Sequence, residues 1–583
     1  MASASSDEWR AVCDKFTNAQ NLTVVESRND PENDPFRSKY KARELLREIY
    51  CTLKSFEGFS GDSPAGLRAA KLGAVEYYLG VNHVDTEELS AGQEHLMNCM
   101  KLLERCSVSS ENVSLFIHVR NQLGILSAGW DETETAQGFL ETAESIYQRY
   151  LKEVRLVLCA AVYLKQFELA YTHTMYYLAQ VYKNLGETER AATYCHSTLQ
   201  RQLQLNQFSP MEWALNAATL SQYYITKGLY MEGRHCLSAA TVISDLAGEV
   251  PSEASERREQ LRQKRAEIAR CWIKYCLNVL QDSKKLLEDS IGELDTDRQE
   301  ELKMARRREE EEEEKGRKSA LLFGSEDTFD SIASLEEKVH CLLPLDFTEA
   351  RAVFLVGQNY VTQAKEYFQM DGYVTDHIEI LQDHSALFRA LAFYEEDLER
   401  RCKMHKRRVD MLEPICSDLN AQYYLMIRRQ MMFELAEIYN EMMDLKLTLA
   451  NRQSDTESLD NHTINKFNHL CSASAKYFQM FLDSLCSPEG KIPEHLEEEV
   501  LRPALVARFR VARLYSRLIS PSPSAQLENL DKSLEHYKYV VQYCEAHPEA
   551  AAAVETELEL STEMVGLLPL KMNRLKAKMV VNN

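Results

Sequence analysis

The chain has 583 residues, and its 68 Lys and Arg against 90 Asp and Glu give a formal net charge of −22. Such a surface repels phosphate backbones, which argues against nucleic acid as a partner, and it attracts a basic protein surface. An apolar fraction of 45% with only 20 Gly and 14 Pro suits a large helical core better than a turn-rich β protein.

From the N-terminus, MASASSDEWRAVCDKF has no basic end followed by an apolar stretch, so no signal peptide is expected. The longest uninterrupted apolar run, LVLCAAVYL at 156–164, has nine residues and cannot span a bilayer, so no integral membrane segment is expected. Fifteen cysteines are scattered singly, and the closest pair is Cys271 and Cys276. They read as reduced thiols of a cytoplasmic protein, not as a zinc ribbon or a disulfide framework.

Apolar residues recur at three and four, so the predicted fold is all-α. One spacing repeats four times. Leu178-Ala179 is followed by Tyr182, Gly186, Ala191, Cys195 and Thr198. Leu220-Ser221 is followed at the same offsets by Tyr224, Gly228, Gly233, Leu237 and Ala240. Leu123-Gly124 gives Ser127, Asp131, Ala136, Leu140 and Ala143, and Leu79-Gly80 gives His83, Gly92, Leu96 and Cys99. This is the tetratricopeptide (TPR) pattern, in which a large and a small residue on helix A meet a small residue and an apolar one on helix B. The anchors stand 44, 55 and 42 residues apart, so helices or loops are longer than in the usual repeat of about 34. Val356-Gly357, Leu435-Ala436 and Val511-Ala512, each with a Tyr three residues past the small one, look like further A helices with decayed second halves.

The predicted architecture is a TPR-like right-handed helical solenoid in two helical subdomains: a solenoid over 1–285, a charged connector over 286–335 and a second helical array over 336–583. The connector contains a six-Glu run at 309–314 and reads as a solvated helix or loop.

No phosphate loop, dinucleotide fingerprint, nucleophile elbow or H-E-x-x-H is present, so neither enzyme chemistry nor a cofactor is expected. Asp376-His377 and Asp383-His384 lie seven apart and could face one way as metal ligands. The preferred reading is a polar helix seam with each His held by a carboxylate, and no metal. The basic run RRCKMHKRR at 400–408 reads as a helix face paired with neighbours such as Glu395, Glu396 and Asp397. The four tryptophans, at 9, 130, 213 and 272, are expected in the core.

Two adjacent A helices carry matching polar stripes. Tyr177, Gln180 and Asn184 fall at i, i+3 and i+7, and Thr219, Gln222 and Thr226 take the same register. Uncharged polar side chains at groove positions suit hydrogen bonding to a partner helix or extended segment.

The stretches YYLGVNHVDTEELSAGQEHL, YYLAQVY, ATYCHSTLQRQL, ARCWIKYCL, DGYVTDHIEILQDHSALF, RRCKMHKRR and VLRPALVARFRVARLY resemble the KIF-binding protein family over nearly the whole chain. The segments at about 53–66 and at 155–168 depart from that family's pattern. The resemblance implies a non-enzymatic regulator that binds the motor domains of selected kinesins on the concave solenoid face and blocks their attachment to microtubules. It implies partner contacts at Tyr177, Gln180, Gln202, Thr219 and Gln222, and Gln202 comes from the resemblance alone. It also implies roles in axon growth, neuronal development, mitochondrial transport and spindle function. A monomer forming a 1:1 complex with a motor domain is expected. The alternative is a generic TPR scaffold or co-chaperone that clamps acidic peptide tails. A clamp needs Lys and Arg on helix A, where this chain has Tyr, Gln, Asn and Thr.

Overall fold

The structure is a computed structural model that describes residues 6–55, 64–154, 161–248, 255–291, 300–308, 322–324, 328–453, 461–487 and 493–581. The first five residues of the apolar run, 156–160, and the six-Glu run at 309–314 lie outside the described residues. The described regular structure is helical throughout, with no strand among the described residues. By packing, the chain forms two units. The first comprises 1–227, 235–249 and 312–336, and the second 228–234, 250–311 and 337–583.

In the first unit the helices are α1 (Ser6–Val24), α2 (Arg37–Ser55), α3 (Pro64–Asp85), α4 (Leu89–Leu103), α5 (Val113–Gly129), α6 (Thr133–Val154), α7 (Ala161–Asn184), α8 (Thr188–Gln204) and α9 (Pro210–Thr226). Each packs on the next in chain order, the arrangement of tetratricopeptide helix pairs. The anchor leucines 79, 123, 178 and 220 are all buried. The small residue after the anchor sets the spacing of the pair. A Cβ built on Gly80 would lie 2.7 Å from Leu96 Cγ, and one on Gly124 would lie 2.8 Å from Leu140 Cγ. Only a residue without a side chain lets helices A and B approach this closely.

The residue eight past each anchor closes helix A. Glu87, Asp131, Gly186 and Gly228 have φ of 65°, 61°, 79° and 73°. In three of the four, the next N–H reaches back five residues: Glu88 to His83 O, Glu132 to Ser127 O and Glu187 to Tyr182 O, at 2.8–2.9 Å. This is the Schellman cap, which satisfies a helix-terminal carbonyl and turns the chain into helix B. Successive A helices are keyed by a buried polar pair. Asn121 on α5 donates to Ala170 O (3.0 Å) and accepts from Thr174 Oγ1 (2.9 Å), both on α7.

Helix α10 (Tyr230–Asp245) is followed by α11 (Ser255–Ile291), α12 (Phe329–Glu336), α13 (Phe347–Tyr367), α14 (Val374–Tyr394), α15 (Leu398–Asp418), α16 (Leu425–Gln453), α17 (Asn461–Asp483), α18 (Glu498–Arg517), α19 (Pro523–Ala546) and α20 (Glu555–Val581). The 37-residue α11 belongs to the second unit and packs on α13 and α14. Trp272 stacks flat on Tyr360, with ring centroids 5.2 Å apart.

The three faded anchors head real A helices, α13, α16 and α18. A Cβ on Gly357 would lie 2.9 Å from Leu387 of α14. At the other two, a helix-B serine replaces the leucine. Ser474 donates to Ala436 O and Ser533 to Ala512 O, each at 2.7 Å and fully buried.

Several side chains sit differently from their sequence readings. Trp213 and Trp272 are core residues, but Trp130 is 37% exposed beside the left-handed turn at Asp131. Asp376 pairs with Arg270 and Asp383 with Lys274, both on α11, while His377 Nδ1 bonds Phe368 O. The carboxylates hold cations, not the neighbouring imidazoles. In RRCKMHKRR, Arg408 is buried and pairs with Glu434 and Glu441 of α16, not with Glu395, Glu396 or Asp397. The stretch read as a solvated connector contributes Phe323, which is 1% exposed in the first unit. It stacks on His196 and His235 and lies edge-on to Trp213.

Gly124→Ala is expected to lower the unfolding free energy by about 1–3 kcal/mol through overpacking against Leu140. Gly138, on α6, has no atom within 4 Å of a built Cβ, so Gly138→Ala is expected to be neutral or stabilising by up to about 1 kcal/mol. Denaturant melts of the two variants compare them directly.

Burial holds the imidazoles of His384, His405 and His536 down at about 4, against 6.5 for a free group. His405 and His536 also accept hydrogen bonds from Arg408 and Arg508, which requires the neutral ring. Between pH 6.5 and 4 the unfolded chain therefore binds protons that the folded second unit refuses. Stability is complete above about pH 6.5 and is lost as pH falls toward 4. Thermal melts are expected to show a midpoint falling from pH 7 to pH 5, with a shallower fall in His536→Gln.

Candidate functional site

The A helices α5, α7 and α9 present equivalent positions one before, two after and six after their buried anchors. On α7 these are Tyr177, Gln180 and Asn184, and on α9 Thr219, Gln222 and Thr226. On α5 the same register gives Gln122, Ile125 and Gly129. Between α5 and α7 lies a cleft of about 260 Å³. Gly124, Ile125, Ala128, Gly129, Leu140 and Val181 line it with small and apolar surface, and Tyr177, Gln180 and Asn184 supply its polar side.

Tyr177 is half-buried against Ala136, Leu140, Leu178 and Val181, with its ring edge-on to the exposed Tyr176. Burial pushes its phenol above the usual value, so it stays a neutral hydrogen-bonding group. Gln180 and Asn184 are exposed and make no hydrogen bond to the described residues, so their amides are available to a partner. On α9, Thr219 donates to Leu215 O at 2.9 Å and Thr226 to Tyr223 O at 2.8 Å. Their protons are spent within the helix, and their lone pairs remain as acceptors. Gln222 Nε2 donates to Ser221 Oγ at 3.0 Å.

Gln202 lies apart from the stripes, in the last turn of α8. Its carbonyl accepts from Gln207 N at 3.0 Å around the left-handed Asn206. The cleft thus brings together three of the seven expected residues. The other three stripe residues share its register on α9, and Gln202 sits on a B helix.

Helix α7 is held firmly in place. Tyr182 donates to Glu141 of α6, and Tyr171 of α7 and Tyr194 of α8 both donate to Glu144, at 2.7–2.8 Å. Hydrogen bonds from Gln137 and Tyr182 keep the Glu141 carboxyl below its usual range. Tyr147 and Tyr171 stack 3.7 Å apart, and Arg201 lies over both rings.

A larger cleft of about 630 Å³ lies in the second unit between α14, α16 and α18. Many of its cations are already engaged: Arg408 by Glu434 and Glu441, Arg389 by Glu441, and Arg429 by Ser484. Several buried thiols are also shifted away from thiolate chemistry. Burial pushes Cys99 and Cys471 up to about 12 and Cys195 and Cys271 up to about 11, the opposite of an activated nucleophile.

The floor of the cleft is not marked by any sequence pattern. Gly124 stands out in the sequence only as a packing residue. Carrying the stripe offsets from α7 back to Leu123 would have reached Ile125 and Gly129.

Comparison with known proteins gives the family. A family model described as "KIF-1 binding protein C terminal" matches residues 211–575. A KIF-binding protein of Danio rerio is 66% identical, with 99% of each chain covered. That of Gallus gallus is 57% identical with 99% of each covered, and that of Homo sapiens 51% identical with 98% and 99% covered. A solved structure described as kinesin binding protein (KBP) is 46% identical, with a TM-score of 0.67, over 98% of this chain and 100% of that one. With similarity running end to end through both helical units, the chain belongs to the KIF-binding protein family.

Proposed function

We propose that this chain is a kinesin-binding regulator, not an enzyme, and that it holds the motor domain of selected kinesins on the A-helix face of its first unit. The names of its relatives support a kinesin-binding role. The observation that carries the siting is the cleft between α5 and α7, where a small-residue floor adjoins the free amides of Gln180 and Asn184. Such a trough suits a helix that lays an apolar face on the floor and offers polar groups to the rim.

The mechanism is competition. Microtubules are acidic, so a motor's filament-binding surface is basic, and a chain with a net charge of −22 attracts the same surface. Charge chiefly sets the rate of encounter, while Tyr177, Gln180, Thr219 and Gln222 select the partner. Gln202, Asn184 and Thr226 complete the contact set. A motor held this way cannot attach to its filament, with consequences for axon growth, mitochondrial and vesicle transport and the spindle. The chain acts in the cytoplasm as a monomer, one per motor domain. No helix among the described residues is long and apolar enough to cross a membrane.

Sedimentation of microtubules with purified kinesin motor domains tests this reading. The chain is expected to retain at least one motor in the supernatant. Combined Gln180→Ala and Gln222→Ala is expected to restore pelleting, each replacement costing about 1–3 kcal/mol of binding as interface hot spots do. Motors that pellet unchanged with every kinesin tried would overturn sequestration. A folded double variant that sequesters as well as the parent would overturn the siting.

A further inference from the structure

In the second unit, the segment leading into α18 lies against the C-terminal end of α19. Leu496 is buried, and its N–H donates to Tyr543 Oη at 3.0 Å. His547 caps α19, packs on the Tyr543 ring with centroids 4.5 Å apart, and donates from Nε2 to the Glu494 carbonyl at 3.0 Å. A carbonyl can only accept, so the bond places a proton on His547 Nε2 and makes Nδ1 the ring atom that a metal could take.

Nδ1 faces Glu549 Oε1 at 3.5 Å. At that distance the two groups make no close hydrogen bond. The exposed His495 completes the group. Its ring centroid is 5.3 Å from that of His547, and ligating atoms of His495, His547 and Glu549 all lie within 4.8 Å of one another.

We propose that His495, His547 and Glu549 form a divalent-metal site suited to Zn²⁺, with two imidazoles, one carboxylate and a position left for water. Tetrahedral zinc with bonds of about 2.0–2.1 Å separates neighbouring ligand atoms by about 3.4 Å and two imidazole centroids by about 5.2 Å. The 3.5 Å and 5.3 Å found here lie near both spacings, and small rotations of the exposed His495 and Glu549 side chains bring the remaining ligand atoms, now within 4.8 Å, onto one ion. The Nε2–carbonyl bond is the outer contact that orients a metal-bound imidazole and fixes its tautomer. A bound ion ties the segment before α18 to the turn after α19, two stretches about 50 residues apart that already share two hydrogen bonds. No spacing motif announces the site, because the fold and not the sequence brings His495 to the other two.

The test is metal titration of the full chain, with Co²⁺ as an optical probe and Zn²⁺ as the competitor. The chain's thiols also bind these ions, but sulfur ligation adds a strong near-ultraviolet charge-transfer band that a His₂–carboxylate site lacks. The expected result is one Co²⁺ with visible absorption and no sulfur band, displaced by Zn²⁺. His495→Ala and Glu549→Gln, both at exposed positions, are expected to weaken it at least about tenfold with unchanged circular dichroism. Zn²⁺ is also expected to raise the melting midpoint of the parent more than that of either variant. Equal affinity and stoichiometry in parent and variants, or a cobalt spectrum of sulfur ligation alone, would overturn the site.

Discussion

A missing side chain governs the helix spacing of the first two repeats. At Gly80 and Gly124 the facing leucine occupies the space a Cβ would need, so helices A and B close to a distance that no other residue allows. That contact is useful only if the chain reverses at once. Left-handed residues at Glu87, Asp131, Gly186 and Gly228 provide the reversal in all four repeats. Two of the four are not glycine, and they accept the cost of positive φ at the position where the cap demands it. With each pair fixed, the Asn121 hydrogen bonds to α7 set one A helix against the next. The faces that remain are the ones carrying the polar stripes.

The first unit is legible in the sequence because its rules are local. In the first two repeats the facing leucine lies 16 positions past the small residue, Gly80 to Leu96 and Gly124 to Leu140, and short turns keep that offset constant. The second unit obeys the same physics with other numbers. Ala436 meets Ser474, 38 residues on, because α16 runs to 29 residues, while Ala512 meets Ser533 only 21 residues on. A fixed ruler finds the A helices there and loses their partners. Charge patterns mislead in another way. Local spacing pairs Arg408 and Asp383 with sequence neighbours, yet their partners come from helices about 30 and 110 residues away, which only the packing brings near. Phe323 shows the same limit, since the short apolar run Leu321-Leu322-Phe323 beside a charged stretch has too little periodicity to mark it as core.

For the candidate site, the rim is readable and the floor is not. Tyr177, Gln180 and Asn184 declare themselves as a polar line beside a buried anchor. Gly129 and Ala128 matter for the room they leave, and small residues at a helix end arise just as often from capping or close packing. Gln202 illustrates a third category: nothing in its spacing marks it, and its backbone is occupied in closing α8. In the proposed function the acidity of the chain and the neutrality of these side chains have separate tasks. On that proposal, long-range charge gathers basic surfaces and the uncharged groove discriminates among them at contact distance, where Coulomb attraction alone would accept any cation.

Hydrogen exchange of the full chain, alone and with a kinesin motor domain in saturating excess, tests the central claim most directly. Occupation of the A-helix face is expected to slow exchange in peptides covering 120–129, 175–184 and 217–226, with little change in peptides from α14 to α20. Protection confined to the second unit, with those three segments unaltered in a complex shown to be formed, would contradict it.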